Sequence, residues 1–196
     1  MRVSKVLFTW FVWTGICGSA VFSQAPAPAK APARRAANAS AQSSQPRIMA
    51  NLLQLMRGTL FPASNVVFAA QGTDPAKVPA AKDPSVATDP LANTYGQWQA
   101  VENAALAIGE GANLLILPGR KCSSGIDVPL NNPDWTKYVQ GLRDAAMTAY
   151  KAAQSKDMDK ITDASGTLSE ACANCHDKYR EKKDLADRCK ATGAKP

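Results

Sequence analysis

Four long stretches of the chain repeat apolar side chains every three to four residues, and this pattern most restricts what the chain can fold into. Such spacing gathers the apolar side chains on one face of an α-helix. No stretch alternates apolar and polar residues at the two-residue period of a strand. The four segments, named A, B, C and D, span about 46–71, 93–117, 132–153 and 156–183. The pattern therefore predicts an all-α protein, a four-helix bundle in which each helix buries one apolar face.

Residues at the ends of the segments indicate where the helices begin and stop. Ser44 is the predicted N-cap of segment A, with Pro46 in the first turn, and Pro62 should kink or interrupt that helix. Pro118 is expected to end segment B, because it is followed by glycine. The connection 72–92 is rich in Pro, Asp and Ala and is long for a bundle, so it is either an ordered excursion or a mobile loop.

The first 25 residues read as an export signal. Two cations precede an apolar run that is short for a membrane span, and small residues up to Ala25 suit cleavage by a signal peptidase. Cleavage after Ala20, a lipoprotein signal at Cys17 and an uncleaved N-terminal anchor are the alternatives. We therefore expect a periplasmic protein made with a signal peptide over 1–25.

Residues 26–45 contain almost no large apolar side chains and many Ala, Pro and Ser, which predicts a flexible linker. The remainder, 46–196, is long enough for one domain with its own core. The formal net charge is +7 and falls to +5 when the leader is removed. These scattered cations favour docking to an acidic partner protein. They give little support for nucleic-acid binding, because no run of Lys and Arg alternates with aromatic residues.

The segment Cys172-Ala173-Asn174-Cys175-His176 carries the strongest chemical signal in the chain. The two cysteines lie three residues apart and the histidine follows directly, so on a helix all three side chains project toward one side. This is the spacing at which two thioether bonds attach a haem and the imidazole binds its iron. The chain has a single histidine, which argues against a chance match. The sequence therefore predicts one covalently bound haem c on the last helix.

A zinc site and a redox-active disulfide are the alternatives for this segment. Zinc would need a second pair of ligands at loop spacing, which the sequence lacks, and the segment lies late in a helix rather than in a loop. The export signal agrees with the haem interpretation, because haem is attached to such motifs outside the cytoplasm.

Four predicted helices with the attachment motif on the last one, continued as far as Arg180, resemble the cytochrome c prime family and its low-spin, six-coordinate relatives. The resemblance covers about residues 46–185 and is specific around 172–180. In that family an aromatic and a basic residue follow the haem histidine at the positions of Tyr179 and Arg180. The resemblance thus implies that Arg180 lies near the haem, and a solvated surface charge is the alternative for it.

The sixth ligand of the iron cannot be a second histidine of the same chain, because His176 is the only one. The resemblance implies a distal residue roughly ten residues into the first helix, which points to Met56. Met49 lies two turns earlier on the same stripe and is the second candidate. Either methionine could simply fill the core, which would leave the sixth position open.

Two functional hypotheses follow from the sixth ligand. A haem held by His and Met suits a one-electron carrier that exchanges electrons with a dehydrogenase or another cytochrome. An open position suits a protein that binds nitric oxide or carbon monoxide. An enzyme such as a peroxidase lacks support, because no distal histidine or carboxylate constellation is visible. We expect an electron carrier, and a homodimer is an option because many family members form dimers.

Cys122 and Cys189 remain once the haem has taken two cysteines. An even pair in an oxidising compartment predicts a disulfide, with free thiols as the alternative. The bond would close a chain loop of about 67 residues and stabilise the fold by about 3 to 4 kcal/mol. Two cations after segment B, Arg120 and Lys121, are expected to be surface charges, with contact to a propionate or an acidic partner as the alternative. Four aromatic residues on the helix stripes are expected to fill the core, with packing on the porphyrin as the alternative, namely Trp98, Trp135, Tyr138 and Tyr179.

Overall fold

A computed structural model describes residues 46–190, and within them the helices build a four-helix bundle. Two helical segments, α1 and α2, are joined by a π-helical turn and form the first helix of the bundle. The elements are α1 (Leu52–Leu55), the π turn (Met56–Leu60), α2 (Phe61–Gly72), α3 (Gln97–Asn113), α4 (Pro133–Ser155) and α5 (Met158–Tyr179). The predicted leader and linker, 1–45, lie outside the described residues.

The helices close into a ring around one core. α2 packs against α3, α3 against α4 and α4 against α5, while α5 packs back against α2. The only β-type pairing within residues 46–190 is an isolated bridge between Lys121 and Asp127. The predicted all-α four-helix bundle is confirmed. No helix in the described part of the chain has the length and apolar content needed to cross a membrane.

The apolar stripes that predict the helices are the faces that the bundle buries. The stripe of α3 is buried along its whole length, and that of α5 is buried as far as the last two turns. These side chains are Trp98, Val101, Ala105, Ile108 and Ala112 on α3, Leu115 just after α3, and Ile161, Ala164 and Leu168 on α5. The buried face of α4 is mostly alanine, and such small side chains let neighbouring helices approach closely.

The first helix begins later than the sequence pattern predicts. The Asn51 side chain accepts a hydrogen bond from the Gln54 backbone N–H, and the Gln54 side chain accepts one from the Asn51 N–H, both at 2.9 Å. This reciprocal pair satisfies two of the N–H groups that a helix start leaves free. The predicted start at Pro46 is therefore wrong. Met49 lies ahead of the helix rather than on its stripe.

Pro62 interrupts regular α-helical hydrogen bonding, as the sequence predicts, and the interruption is a π-helical turn. The N–H of Phe61 donates to the carbonyl of Met56, which is the five-residue spacing of a π-helix. Pro62 then lies in the first turn of α2, directly after the π turn, and it has no N–H to donate to the carbonyls of that turn. Met56 is consequently the first residue of the π turn.

Other helix limits also differ from their predictions by a few residues, and α3 itself ends at Asn113 rather than 117. α3 begins at Gln97 rather than 93, because Asn93 accepts a hydrogen bond from the N–H of Tyr95 in a turn ahead of the helix. α5 ends at Tyr179 rather than 183. The carbonyl of His176 in its last turn is capped, because it accepts hydrogen bonds from the N–H groups of both residue 180 and residue 181.

The long connection 72–92 is an ordered excursion. It contains three short 3-10 turns, and each opens with an Asp-Pro pair. The carboxylates of Asp74, Asp83 and Asp89 each accept a hydrogen bond from the N–H two residues later, at 2.9–3.1 Å. Proline fixes the backbone angle φ, and the aspartate carboxylate accepts a hydrogen bond in place of a backbone carbonyl. Each Asp-Pro pair therefore stabilises its turn through local interactions.

Arg120 is not a surface charge. It is only 3 % exposed, and its guanidinium donates to the carbonyl oxygens of Leu114 at 2.7 Å and of Ala50 at 2.6 Å. Burial lowers the pKa of its guanidinium. The expectation is wrong for this residue, which joins the end of α3 to the chain ahead of α1. Lys121 is exposed and pairs with Asp127 at 2.7 Å.

Replacing Gly96 with alanine is expected to lower the free energy of unfolding by about 1–3 kcal/mol. A Cβ atom there would collide with the carbonyl oxygens of Leu91 and Asn93, which the turn ahead of α3 holds in place. Chemical denaturation followed by circular dichroism measures the loss. Gly141→Ala on α4 is the control: nothing lies within 4 Å of its added Cβ, so this variant should gain up to about 1 kcal/mol. Equal stabilities of the two variants would contradict the clash.

Candidate functional site

The motif predicted to attach haem lies on the last two turns of α5. Cys172, Cys175 and His176 are each partly buried, and both cysteines are free thiols. All three side chains line one cavity of about 590 Å³. This volume falls within the roughly 300–1,000 Å³ typical of sites for small molecules and cofactors. The helix thus presents two thiols and one imidazole to a space of the size a cofactor needs.

All four helices of the bundle contribute to the walls of this cavity. Met56 lines it from the π turn of the first helix, whereas the motif lines it from α5. The larger aliphatic and phenylalanine side chains in the lining are Leu52, Leu53, Leu60 and Phe61 on the first helix, Ile108 and Leu115 on or just after α3, and Val139 and Leu142 on α4. Met49 does not line the cavity and is 89 % exposed. Of the two methionines singled out in the sequence, only Met56 shares a cavity with His176.

Tyr179 and two aromatic residues of α4 form a wall of the cavity. The Tyr179 ring lies edge-on to Trp135, with ring centres 5.0 Å apart, and edge-on to Tyr138 at 6.3 Å. The indole N–H of Trp135 donates to the carbonyl of Leu115 at 3.2 Å. Edge-to-face contacts and a buried hydrogen bond fix the orientation of large rings. Tyr138 and Trp135, expected to fill the core, thus also line the cavity.

Burial holds the motif side chains in their neutral forms. It raises the pKa of the Cys172 thiol and raises that of Cys175 to about 11. Burial, and secondarily the positive charge of Arg180, lowers the pKa of His176. A neutral imidazole keeps a lone pair free for a metal ion, so His176 does not have to lose a proton before it binds iron.

The chain beyond α5 folds back onto the end of that helix. The Cys189 N–H donates to the Tyr179 carbonyl at 2.8 Å, and the sulfur atoms of Cys122 and Cys189 lie 2.09 Å apart, at bonding distance. Cys189 has a φ of +69°, a left-handed backbone that non-glycine residues adopt at some cost. Residues 181–190, which we call the tail, consequently supply Glu181, Arg188 and Cys189 to the cavity lining.

Two buried polar atoms in the described part of the chain lack a hydrogen-bond partner, and both belong to residues that line the cavity. They are the hydroxyl of Tyr179, a residue that is 4 % exposed, and Nε of Arg188. Burial raises the pKa of Tyr179 to about 12, so its hydroxyl keeps its proton as a donor. Buried polar groups are almost always satisfied in native proteins, so these two donors are free to bind an acceptor that enters the cavity. The sequence pattern missed Arg188, and its only signal was the neighbouring Cys189.

The residues around the cavity fit a haem. The apolar and aromatic walls suit the faces of a porphyrin, and the thiols and imidazole have the attachment spacing. The charged lining consists of Arg57, Arg180 and Arg188 with one carboxylate, Glu181, which complements the two propionate groups of a haem. Arg180 is half exposed and contacts Glu181. Within residues 46–190 no group of three or more His, Cys, Asp or Glu side chains is placed to hold a metal ion.

Comparison with known protein families finds a match over the second half of the bundle. The family model described as Cytochrome C' matches residues 129–180, which run from just ahead of α4 through α5 and the motif to Arg180. Comparisons with curated proteins and with solved structures give no match. The predicted resemblance is confirmed over this half of the bundle, and the match supports a c-type cytochrome that binds haem.

Proposed function

We propose, on the premise that residues 129–180 carry the cytochrome c′ signature, that the protein is a one-electron carrier with one covalently bound haem. The observation that carries this proposal is that Met56 and His176 line the same cavity from the first and last helices of the bundle. When bound, the haem supplies an iron centre that accepts and donates a single electron. A thioether that binds the iron together with the imidazole would raise the reduction potential of such a centre.

The chain's own residues hold this centre rigidly. Cys172 and Cys175 would anchor it through two thioether bonds, and His176 and Met56 would bind its iron. Met56 opens the π turn between two buried leucines, Leu55 and Leu60, so packing on both sides restrains its backbone. π-helical turns are frequent at functional sites. Two fixed ligands leave little to rearrange when the charge changes, which suits electron transfer better than binding of a further ligand.

We further propose that the protein works in the periplasm. The export-like first 25 residues support this, and so does the pair Cys122 and Cys189 at bonding distance, because disulfides persist in oxidising compartments. A dehydrogenase or another cytochrome with an acidic docking surface is the proposed redox partner. The positive net charge supports such a partner, since opposite charges speed the encounter of two proteins.

The visible spectrum of the reduced holoprotein tests the proposal, and Met56→Ala sharpens the test. We expect sharp low-spin bands for the unchanged protein. Met56→Ala should convert the haem to high spin and let carbon monoxide bind, because alanine leaves the sixth position without a strong ligand. The measurement is the absorption spectrum before and after addition of carbon monoxide.

Met49→Ala is the matched control, because this methionine is exposed and does not line the cavity. Its spectrum should equal that of the unchanged protein. A broad high-spin band in the unchanged protein that shifts with carbon monoxide or nitric oxide would instead favour the gas-binding function. A low-spin spectrum that survives Met56→Ala and is lost in Met49→Ala would move the ligand to Met49.

A further inference from the structure

The tail, residues 181–190, places the guanidinium of Arg188 at the cavity, and no group in the described residues accepts a hydrogen bond from its Nε atom. Arg188 follows a 3-10 turn, Leu185–Asp187, and precedes the bonded Cys189. Its Nε atom is buried and has no hydrogen-bond partner. An arginine held in this way by a crosslink and a turn is a positioned donor rather than a free surface charge.

The acidic residues of the tail contact groups other than Arg188. Glu181 contacts Arg180. Asp184 accepts a hydrogen bond from the Ala186 N–H at 2.9 Å, and Asp187 pairs with Lys190 at 2.8 Å. Arg188 is thus left without an acid for its Nε atom, although it lines the site proposed to hold an anionic cofactor.

The Tyr179 hydroxyl is the second unsatisfied donor at this place. The Cys189 N–H is bonded to the Tyr179 carbonyl, so the backbone of the tail next to Arg188 lies against the end of α5 that carries the tyrosine. A carboxylate offers two oxygens and accepts from a guanidinium and a hydroxyl at the same time. A single carboxylate that reaches both side chains in the cavity would satisfy both orphaned donors.

We propose that Arg188 and the Tyr179 hydroxyl bind one propionate of the haem, which makes the crosslinked tail part of the cofactor site. The inference rests on the proposed haem attachment. The positive charge of Arg188 neutralises one negative charge close to the iron. Reduction adds an electron to the site, so a nearby cation favours the reduced form and raises the reduction potential.

Arg188→Gln in the holoprotein tests this assignment through its reduction potential. We expect a lower potential, by about a tenfold change in the equilibrium constant for reduction, which corresponds to about 59 mV for one electron. The propionate bending bands in the resonance Raman spectrum should move as well. Tyr179→Phe removes only the hydroxyl oxygen and should move the same bands while the aromatic wall stays in place. Arg188→Lys keeps the charge without the planar donor group and should restore most of the potential.

Lys183→Gln is the control, since it removes the same charge from an exposed position on the same tail. Its potential should change much less, because solvent screens an exposed charge. Equal shifts in Arg188→Gln and Lys183→Gln, with unchanged propionate bands, would overturn the inference. The mass of the holoprotein separates this failure from that of the proposed function: absence of covalent haem in the unchanged protein would disprove the attachment itself.

Discussion

Trp135→Ala is expected to lower the free energy of unfolding by about 3–5 kcal/mol. Trp135 is 1 % exposed and lies edge-on to Tyr179 in the wall of the cavity. Alanine removes the ring, opens a void in the core and leaves the buried carbonyl of Leu115 without its 3.2 Å donor. Chemical denaturation followed by circular dichroism measures the change.

Two further variants separate the contributions to this loss. Trp135→Phe keeps an aromatic ring but loses the N–H donor, so it should cost less than Trp135→Ala. Tyr95→Ala removes an aromatic ring that is 63 % exposed in the connection ahead of α3, and it should change stability by no more than about 0.5 kcal/mol. A loss in Trp135→Ala no larger than that in Tyr95→Ala would mean that this wall does not stabilise the bundle.

Most of the bundle could be predicted because its helices bury one face each. On α3 the positions from Trp98 to Ala112 repeat at helical spacing, and that spacing follows directly from the geometry of burial. The start of α4 was equally readable, since Asn132 precedes a proline and caps the helix by accepting from the Asp134 N–H at 3.0 Å. At these positions the local helix signals and the packing of the bundle favour the same structure.

The start of the first helix could not be predicted from periodicity alone. Met49 stands at helical spacing from Leu52, Leu53 and Met56, so the stripe continues past the point where the helix begins. The capping pair of Asn51 and Gln54 sets the start of the helix. These two residue types at this spacing indicate a helix start, but the apolar pattern that continues to Met49 predicts an earlier one. Pro62 predicts an interruption of the helix, but it does not predict that the interruption takes the form of a π turn.

The cavity residues divide in the same way. The residues of the attachment motif could be found from their spacing, and Met56 from its place in the first helix. Arg188 could not, because it reaches the cavity only through contacts distant in sequence, between the tail and α5 and between Cys189 and Cys122. Arg120 looked like a loop cation, and its burial depends on two carbonyl groups, one of them 70 residues away.

Replacing both Cys122 and Cys189 with alanine is expected to lower the free energy of unfolding by about 4 kcal/mol, the chain-entropy value for a loop closed over 67 residues. The unfolded chain gains freedom when the crosslink is absent, while the small, buried side chains leave little void. Denaturation of the unchanged protein with and without a thiol reductant gives an independent value. The reductant should destabilise the unchanged protein by a similar amount and leave the double variant unaffected, because thioether bonds to haem resist thiols.

The same double variant connects the crosslink to the cofactor site. Without the bond, backbone hydrogen bonds still hold the tail to the end of α5, among them the one from the Cys189 position to Tyr179, but each contributes only about 1 kcal/mol. Arg188 should then leave the cavity for part of the time, and the reduction potential should fall in the direction of Arg188→Gln. Unchanged stability, with no response of the unchanged protein to reductant, would show that the sulfurs are not bonded. A stability loss with an unchanged potential would show that Arg188 keeps its place without the crosslink, or that it does not act on the haem, and Arg188→Gln decides between the two.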